Sequence, residues 1–321
     1  MTRVAVVLMN LGGPDSLEAV RPFLVNLFSD PAIIGLPYVL RWPLARFVAW
    51  RRYPAARDIY ARLGGRSPLL ANTKAQARAL EMVLGPNYRC FVAMRYWQPL
   101  SAQTAREVLE WAPDEIVCLP LYPQFSTTTT ASSLAAWRRA AAGQGLRCPT
   151  HIVRCYPCEQ GLIEAMTGLI RPALKEVSGT GQPFRLLLTA HGLPNRIVRQ
   201  GDPYPDQVEQ TAAAIVSALG WPELDWRVCY QSRVGPLEWI GPLTDEEIRQ
   251  AGADSRALVV APISFVSEQS ETLVELDLDY RRLAEGAGVP SYRRVATVGV
   301  APSFVGSLAK LVGRALAGAP G

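Results

Sequence analysis

The chain has 321 residues, of which 49% are hydrophobic and 19% are charged. This composition excludes an intrinsically disordered chain, and the length is sufficient for two domains of about 150 residues each. The formal net charge of +5 favours an anionic partner, such as a membrane surface, a nucleic acid or an acidic small molecule. The 6 cysteines are too few and too scattered for a disulfide framework, so we expect a reducing compartment, the cytoplasm.

Short apolar runs alternate with helical patterns along the chain and predict a parallel α/β fold. The predicted strands are Val4–Met9, Tyr88–Met94, Glu115–Leu119, Phe184–Thr189, Trp226–Tyr230, Ala257–Pro262 and Val295–Val300. The predicted helices are Leu17–Phe28, Thr73–Leu84, Ala102–Trp111, Leu162–Val177, Pro205–Leu219 and Glu271–Ala287. Almost uniformly apolar runs such as RLLLTA and ALVVAP are typical of parallel strands that are buried on both faces.

The segment Ile33–Arg52 combines Trp42, Phe47 and Trp50 with aliphatic residues and arginines. Arginines and prolines interrupt it too often for a helix that spans a bilayer. Its composition fits an amphipathic element at a membrane surface, where arginines meet anionic groups. A helix of the protein core is the alternative interpretation.

His191 is one of only 2 histidines in the chain and follows the predicted strand FRLLLTA. Open α/β sheets bind their ligands at the carboxyl ends of their strands, which makes His191 a candidate catalytic residue. A structural, hydrogen-bonded histidine remains an equal alternative. Downstream, Asp202 and Pro203 predict the N-cap and first residue of a helix that ends at Gly220.

An acidic stretch, Ser264–Tyr280, follows the predicted strand ALVVAP. If this stretch is helical, Glu268, Glu271 and Glu275 share one face. Spacing alone favours a solvated acidic face near a helix N-terminus. The functional alternative is a path for divalent cations or protons.

Sequence motifs for nucleotides and structural metals are absent from the chain. Neither G-x-G-x-x-G nor G-x-x-x-x-G-K-[ST] occurs, so nucleotide binding has little support. Cys155 and Cys158 form a C-x-x-C that no second pair follows, which makes a structural zinc site improbable.

A set of ordered motifs resembles the ferrochelatase family, whose members insert ferrous iron into protoporphyrin in the last step of haem synthesis. The motifs are MNLGGPDSLEAVRPFL, IYARLGGRSPL, MRYWQPL, LPLYPQFSTTTTASSL, TAHGLPNRIVRQGDPY, YQSRVGPLEWIGPLTDE and PISFVSEQSETLVELDLDY. The resemblance covers almost the whole chain and implies a chelatase-like α/β fold. In that fold two similar doubly wound domains, each with a parallel sheet, hold the porphyrin in a cleft between them.

The resemblance also implies domain bounds, which we expect at residues 1–155, with an apolar lip at 33–52, and at residues 156–300. A C-terminal helix is expected at residues 301–321, packing back on the first domain.

The resemblance implies functional roles for individual residues. His191 is expected to meet the pyrrole nitrogens, and Glu271 is the carboxylate expected across the macrocycle. The residues that match the porphyrin pocket of relatives are Asn10, Leu11, Ser67, Arg95, Tyr122, Trp239 and Phe265. Glu268 and Glu275 join His191 and Glu271 as expected contacts of the iron. A neutral imidazole suits removal of pyrrole protons, and imidazole with carboxylate suits transient binding of ferrous iron.

Two residues depart from the family pattern. Gln98 and Gln269 stand where members usually carry histidine, and glutamine can neither accept a proton near neutral pH nor bind ferrous iron well. We expect activity to survive because His191 and Glu271 remain. Some members of the family bind a [2Fe-2S] cluster through cysteines that include several near the C-terminus, and no cysteine lies beyond Cys229 here, so we expect no cluster. We also expect no other tightly bound cofactor, with Fe2+ as a substrate.

Three interpretations of function follow. The first is a protoporphyrin ferrochelatase, a lyase that binds membranes peripherally and does not bind nucleic acid. The second is a tetrapyrrole-binding or haem-binding protein with impaired chemistry, suggested by Gln98 and Gln269. The third is a chelatase for another metal or porphyrin. The sequence leaves the oligomeric state and the iron donor open.

Overall fold

Two parallel four-stranded sheets organise the chain in a computed structural model that describes residues 2–235 and 237–318. The first sheet contains β1 (Val4–Asn10), β2 (Tyr88–Met94), β3 (Glu115–Pro120) and β4 (Thr150–Ile152), in the order β2-β1-β3-β4. The second contains β5 (Phe184–His191), β6 (Trp226–Gln231), β7 (Ala257–Pro262) and β8 (Tyr292–Arg294), in the order β6-β5-β7-β8. All neighbouring strands are parallel, and the two sheets share one strand order. The predicted doubly wound α/β fold is confirmed.

Helices connect the strands in each half. The α-helices are α1 (Val20–Phe28), α2 (Tyr38–Arg62), α3 (Leu69–Leu84), α4 (Ser101–Trp111), α5 (Ser132–Gly143), α6 (Gln160–Ser178), α7 (Asn195–Arg199), α8 (Tyr204–Leu219), α9 (Thr244–Ala253), α10 (Tyr280–Gly286) and α11 (Pro302–Leu316). Two π-helical segments, Thr127–Ala131 and Glu271–Asp279, follow the third strand of their respective sheets. π-Helical turns are rare and are frequent at functional sites.

The contacts divide the chain into two compact units. The N-terminal unit contains Met1–Cys155 together with Leu308–Gly321, and the C-terminal unit contains Tyr156–Ser307.

Each unit has its own hydrophobic core around its central strand. Every residue of β1 is buried, and β1 side chains such as Val7 pack with Val108 of α4 and Trp137 of α5. In the C-terminal unit, Leu187 of β5 packs with Ile248 of α9. Uniform apolarity is therefore a consequence of burial on both sheet faces.

The strand order determines where each unit can bind a ligand. In a doubly wound sheet the connections turn to opposite sides at the strand where the order reverses, and a crevice opens at the carboxyl ends of the strands there. In the N-terminal unit that position lies at the ends of β1 and β3, and in the C-terminal unit at the ends of β5 and β7.

Three local predictions are wrong. The run Val295–Val300 is not a strand, and the eighth strand is the preceding polar segment β8. The helix after Asp202 begins at Tyr204 rather than at Pro203, and the Asp202 carboxylate accepts a hydrogen bond from the Tyr204 amide at 3.0 Å. Its predicted end is confirmed, because Gly220 caps it with a φ of 56°.

The third wrong prediction concerns Glu268. It lies in the loop before the π-helix Glu271–Asp279 and does not share a helix with Glu271 and Glu275. A contact with Arg294, 26 residues downstream, holds it in this loop, and no periodic pattern could have indicated that contact.

Candidate active site

His191 ends β5, at the carboxyl edge of the C-terminal sheet. Its Nδ1 lies 2.7 Å from the carbonyl oxygen of Gly192, and its backbone amide donates to the Ser264 hydroxyl at 3.2 Å. A carbonyl can only accept, so Nδ1 carries the proton and donates it. Nε2 is then the unprotonated nitrogen of the neutral ring and is the atom able to accept a proton.

Trp239 lies beside this imidazole. The two ring centroids are 6.3 Å apart with the planes tilted by 49°. The indole Nε1 donates to the Val234 carbonyl at 3.1 Å, which fixes the ring against the loop after β6. A Cβ added to Gly192 would lie 3.1 Å from both the Trp239 ring and the Gln231 carbonyl, so glycine is what allows this close packing.

Glu271 opens the π-helix of the C-terminal unit. Its carboxylate accepts a hydrogen bond from the Ser270 hydroxyl at 2.7 Å, and its backbone carbonyl accepts one from the Gln231 amide at 3.1 Å. Gln231 is the sheet partner of His191. One residue at the end of β6 is therefore next to the candidate base and bonded to the segment that carries the candidate carboxylate.

Glu275, one turn further along the π-helix, is surrounded by hydrogen-bond donors. Its oxygens accept from the Ser232 backbone amide at 2.8 Å and from the Ser232 hydroxyl. They also accept from the Gln231 side-chain amide and from the Tyr280 hydroxyl, both at 3.0 Å. Burial and the charge of Glu275 raise the pKa of the Tyr280 phenol well above its ordinary value, so Tyr280 remains a donor. These donors hold the carboxylate in one orientation.

Glu268 is held by a different group. It accepts from Arg294 at 2.6 Å and from the Thr297 amide at 2.9 Å. Burial opposes the charge of the Arg294 guanidinium, but hydrogen bonds to Asp277 and the neighbouring Glu268 outweigh it and raise the pKa of Arg294. Within residues 2–235 and 237–318, no group of three or more His, Cys, Asp or Glu side chains is placed to hold a metal ion. The predicted iron contacts of Glu268 and Glu275 stay predictions.

The predicted residues of the N-terminal unit lie at its strand ends and the adjoining loops. Asn10 ends β1, where its amide nitrogen donates to Thr73 at 3.1 Å and its amide oxygen accepts from the Leu11 backbone at 2.8 Å. Ser67 lies against the loop after β1, because a Cβ added to Gly13 would clash with its hydroxyl oxygen.

Arg95 is part of a buried polar cluster. It donates to Asp30 at 2.6 Å and to Ser132 at 2.6 Å, and the Tyr96 hydroxyl donates to the same Asp30 oxygen at 2.8 Å. Burial favours the neutral form of Asp30, but the Ser132 hydroxyl, the Ala32 amide and Arg95 outweigh it and lower the pKa of this carboxyl group. Arg95 is thus already paired with a carboxylate.

Tyr122 and Phe265 follow the third strand of their respective sheets. The Tyr122 hydroxyl is buried, and burial raises the pKa of its phenol, while Ser133 and the charge of Arg95 oppose this shift more weakly. Phe265 is 7% exposed and belongs to the core.

Sequence reasoning missed several residues that support this site. They are Asp30 and Ser132 in the N-terminal unit and Gln231, Ser232 and Arg294 in the C-terminal unit. Ser132, Gln231 and Ser232 lie within quoted motifs, whereas Asp30 and Arg294 lie outside them, and the roles of all five depend on contacts with distant residues. Proximity to a motif was the one available signal.

The ferrochelatase family model matches residues 3–316 of the chain. The chain belongs to the ferrochelatase family. It is 54% identical over 324 residues to the ferrochelatase of Caulobacter vibrioides, covering 99% of this chain and 92% of that protein. It is 55% identical over 314 residues to the ferrochelatase of Phenylobacterium zucineum, covering 96% and 90%.

Solved structures of other chelatases share the fold. SirB from Bacillus subtilis, solved with Fe3+, gives a TM-score of 0.55 at 11% identity and covers 98% of this chain and 96% of that one. CbiX, the terminal enzyme for biosynthesis of siroheme in denitrifying bacteria, gives 0.51 at 18% identity, covering 98% and 99%. The predicted chelatase-like fold of this ferrochelatase family member is confirmed.

Proposed function

We propose that this chain is a lyase that inserts ferrous iron into protoporphyrin IX to form protohaem. Its membership of the ferrochelatase family and its near full-length similarity to proteins of that name support this function. The observation that carries the chemistry is the orientation of His191. With Nδ1 bonded to the Gly192 carbonyl, Nε2 is the basic nitrogen at the carboxyl edge of β5.

His191 acts as the base in this proposal. Insertion replaces two pyrrole N–H protons by the metal, and a neutral imidazole can accept a proton near neutral pH. The Gly192 carbonyl then stabilises the imidazolium, because it accepts from the Nδ1 proton in both charge states. The two protons are removed one after the other: Nε2 accepts the first and passes it to solvent, and then accepts the second and passes it on in the same way.

Glu271 supplies the carboxylate. Carboxylate and imidazole ligands bind ferrous iron without the strong retention of thiolates, which suits an ion that must move on into the ring. Glu268 and Glu275 are proposed as further contacts of the iron. In the described structure Arg294 donates to Glu268, and Ser232 donates to Glu275. Iron would have to compete with these donors for the two carboxylates.

Trp239 and Phe265 are proposed to contact the porphyrin faces. Aromatic walls favour binding of a large apolar ring, and binding energy used to distort that ring lowers the barrier to insertion. Asn10, Leu11, Ser67, Arg95 and Tyr122 are proposed as further contacts of the porphyrin.

A porphyrin-binding protein with impaired chemistry is the second candidate. Gln98 and Gln269, which replace histidines of the family pattern, favour it. A chelatase for another metal or porphyrin is the third. Anaerobic insertion of ferrous iron, followed by loss of porphyrin fluorescence, separates these functions in wild type, His191→Ala and Glu271→Ala. Turnover that collapses in both variants supports the proposal, whereas tight porphyrin binding without turnover of iron or zinc supports a binding protein.

We also propose that the protein acts in the cytoplasm, peripherally attached to a membrane through α2. None of the described helices has the length and apolarity needed to cross a bilayer. Trp42, Phe47 and Trp50 are 47%, 56% and 59% exposed, and Arg46 lies over the Trp42 ring at 5.0 Å. Exposed aromatic residues interleaved with arginines suit the interface of an anionic membrane.

Finally, we propose that no [2Fe-2S] cluster is bound. The measurement is iron and sulfide analysis with a visible spectrum of porphyrin-free protein. Stoichiometric iron and sulfide with a cluster absorption band would contradict it.

A further inference from the structure

Arg294, at the end of β8, binds two acidic residues at once. Its Nε and Nη2 donate to the two oxygens of Asp277 at 2.9 and 2.6 Å, and its Nη1 donates to Glu268 at 2.6 Å. The Arg294 side chain is only 10% exposed. A planar guanidinium can make this paired contact and still reach a second carboxylate, which an ammonium group cannot do.

The two acidic residues flank Glu271 along the chain. Glu268 lies in the loop before the π-helix and Asp277 lies within the helix. Arg294 therefore bonds to the chain on both sides of Glu271. The Thr297 backbone amide also holds this loop, because it donates to the Glu268 carboxylate at 2.9 Å.

Glu271 depends on such support. Its own carboxylate is bonded to the adjacent Ser270 at 2.7 Å, so its direction follows the direction of the backbone. One backbone restraint is the Gln231 amide on the Glu271 carbonyl, at 3.1 Å. The Arg294 contacts are a second restraint, at residues that lie before and after Glu271 in sequence.

We propose that Arg294 is a positioning residue for iron insertion, which acts through Glu268 and Asp277 to hold Glu271 in its productive place. The inference rests on the role proposed above for Glu271. It assigns Glu268 a part in orientation, because its carboxylate is bonded to Arg294. Small displacements of a reacting group reduce turnover strongly, by about 100-fold for about 1 Å.

The test compares Arg294→Gln and Arg294→Lys with Arg293→Gln. Arg293 is the matched control, because it is the adjacent arginine and its ion pair with Glu176, at 2.6 Å, is exposed. We expect both Arg294 variants to lower kcat by about tenfold to about 100-fold. The porphyrin Kd, from fluorescence titration, and the KM for ferrous iron are expected to stay near the wild-type values. Arg293→Gln is expected to behave as wild type.

A double-mutant cycle with Glu271→Gln identifies the route of the effect. If Arg294 acts through Glu271, Arg294→Gln costs little further activity once Glu271 is replaced. The inference is overturned if Arg294→Gln lowers kcat as much in the Glu271→Gln variant as it does in wild type. Equal kcat values for Arg294→Gln and Arg293→Gln also overturn it. A raised KM for iron in Glu268→Gln with kcat unchanged also overturns it, because Glu268 would then contact the iron without orienting Glu271.

Folding and the parent proposal are tested separately. If Arg294→Gln does not fold, Asp277→Asn keeps the arginine and removes only the paired contact, and unchanged kcat in that variant overturns the inference. Wild type without turnover rejects the proposed function, whereas Glu271→Gln with full turnover rejects only the role proposed for Glu271. Full turnover of Glu271→Gln together with a slow Arg294→Gln rejects the route through Glu271.

Discussion

Gln231 donates a hydrogen bond from its side-chain amide to the backbone carbonyl of Glu271, at 3.1 Å. The same amide donates to Glu275 at 3.0 Å, and the Gln231 side-chain carbonyl accepts from Thr189 at 2.9 Å. Because Gln231 is also the sheet partner of His191, it connects the rigid end of the sheet to the start of the π-helix. A buried amide with all these partners orients the segment that carries the candidate carboxylate.

We predict that Gln231→Leu destabilises the protein and slows insertion. The change leaves the Thr189 hydroxyl and the Glu275 carboxylate short of a partner, at a cost of about 2–3 kcal/mol in free energy of unfolding. Urea denaturation measures the stability, and kcat measures the displacement of Glu271. Gln250→Leu is the control, because Gln250 is exposed and bonds to Asp254, the residue that follows α9. Equal midpoints for the two variants would contradict the prediction.

We predict that Asp30→Asn destabilises the N-terminal unit in a pH-dependent way. Removing the carboxylate leaves Arg95 without its buried partner, at a cost of about 3 kcal/mol near neutral pH. The pKa of Asp30 in the folded state lies below its ordinary value of 3.8. Its ionised form therefore contributes stability fully above the unfolded pKa, and that contribution is lost as the pH falls through the folded pKa.

Measuring the free energy of unfolding at a series of pH values tests the direction of this pH dependence. The difference in free energy of unfolding between wild type and Asp30→Asn is expected to be constant above about pH 5 and to narrow below about pH 4. Asp58→Asn is the control, because Asp58 forms an exposed ion pair with Arg62 and is expected to cost at most about 0.5 kcal/mol. A difference that widens toward low pH would reject the mechanism.

The strands and most helices could be predicted because buried parallel strands are uniformly apolar. The same rule failed at Val295–Val300, an apolar run that forms no strand, and missed the short strand β4 and the polar β8. In β8, Arg293 and Arg294 pair with Glu176 and Asp277 rather than entering a core. Ion pairs between distant residues stabilise this short edge strand, and local hydropathy carries no information about them.

The residue types of the candidate site could be predicted from the sequence, but the residues that hold them in place could not. His191 could be located because it follows an apolar strand, and Glu271 because of the family resemblance. The π-helix could not be told from an α-helix, since both have an acidic and an apolar face. The roles of Gln231 and Asp30 come from hydrogen bonds over 40 and 65 positions in sequence.

We predict that the wild type turns over although Gln269 is not a histidine. Gln269 is half-buried, and its backbone amide donates to Thr272 at 3.0 Å at the start of the π-helix. A histidine there would add a proton acceptor beside Glu271, with an effect on insertion below about 100-fold. The measurement is kcat/KM for ferrous iron in Gln269→His, with Gln98→His beside it. An increase of about 100-fold or more would show that the native iron route is impaired.

We predict that Gly192→Ala weakens porphyrin binding and slows insertion. The new Cβ would lie 3.1 Å from the backbone carbonyl oxygen of Gln231, which is fixed by the sheet. It would also lie 3.1 Å from the Trp239 ring, a side chain that can move. We expect the indole to shift away from His191, and we expect this shift to lower kcat/KM by about tenfold. Gly168→Ala is the control, because its Cβ would meet no atom within 4 Å. Unchanged tryptophan fluorescence and porphyrin Kd in Gly192→Ala would contradict the prediction.

We predict that α2 attaches the protein to anionic membranes. Replacing Trp42, Phe47 and Trp50 together by aspartate removes exposed apolar area and adds negative charge opposite the lipid headgroups. In vesicle sedimentation, wild type is expected in the pellet at low salt and in the supernatant at high salt or with detergent. The triple variant is expected in the supernatant throughout. Replacing Met82 and Val83 by aspartate is the control, because these side chains are also exposed but lie on α3. Sedimentation of the triple variant equal to that of the control would exclude α2 as the attachment surface, and a wild type that never sediments would reject attachment altogether.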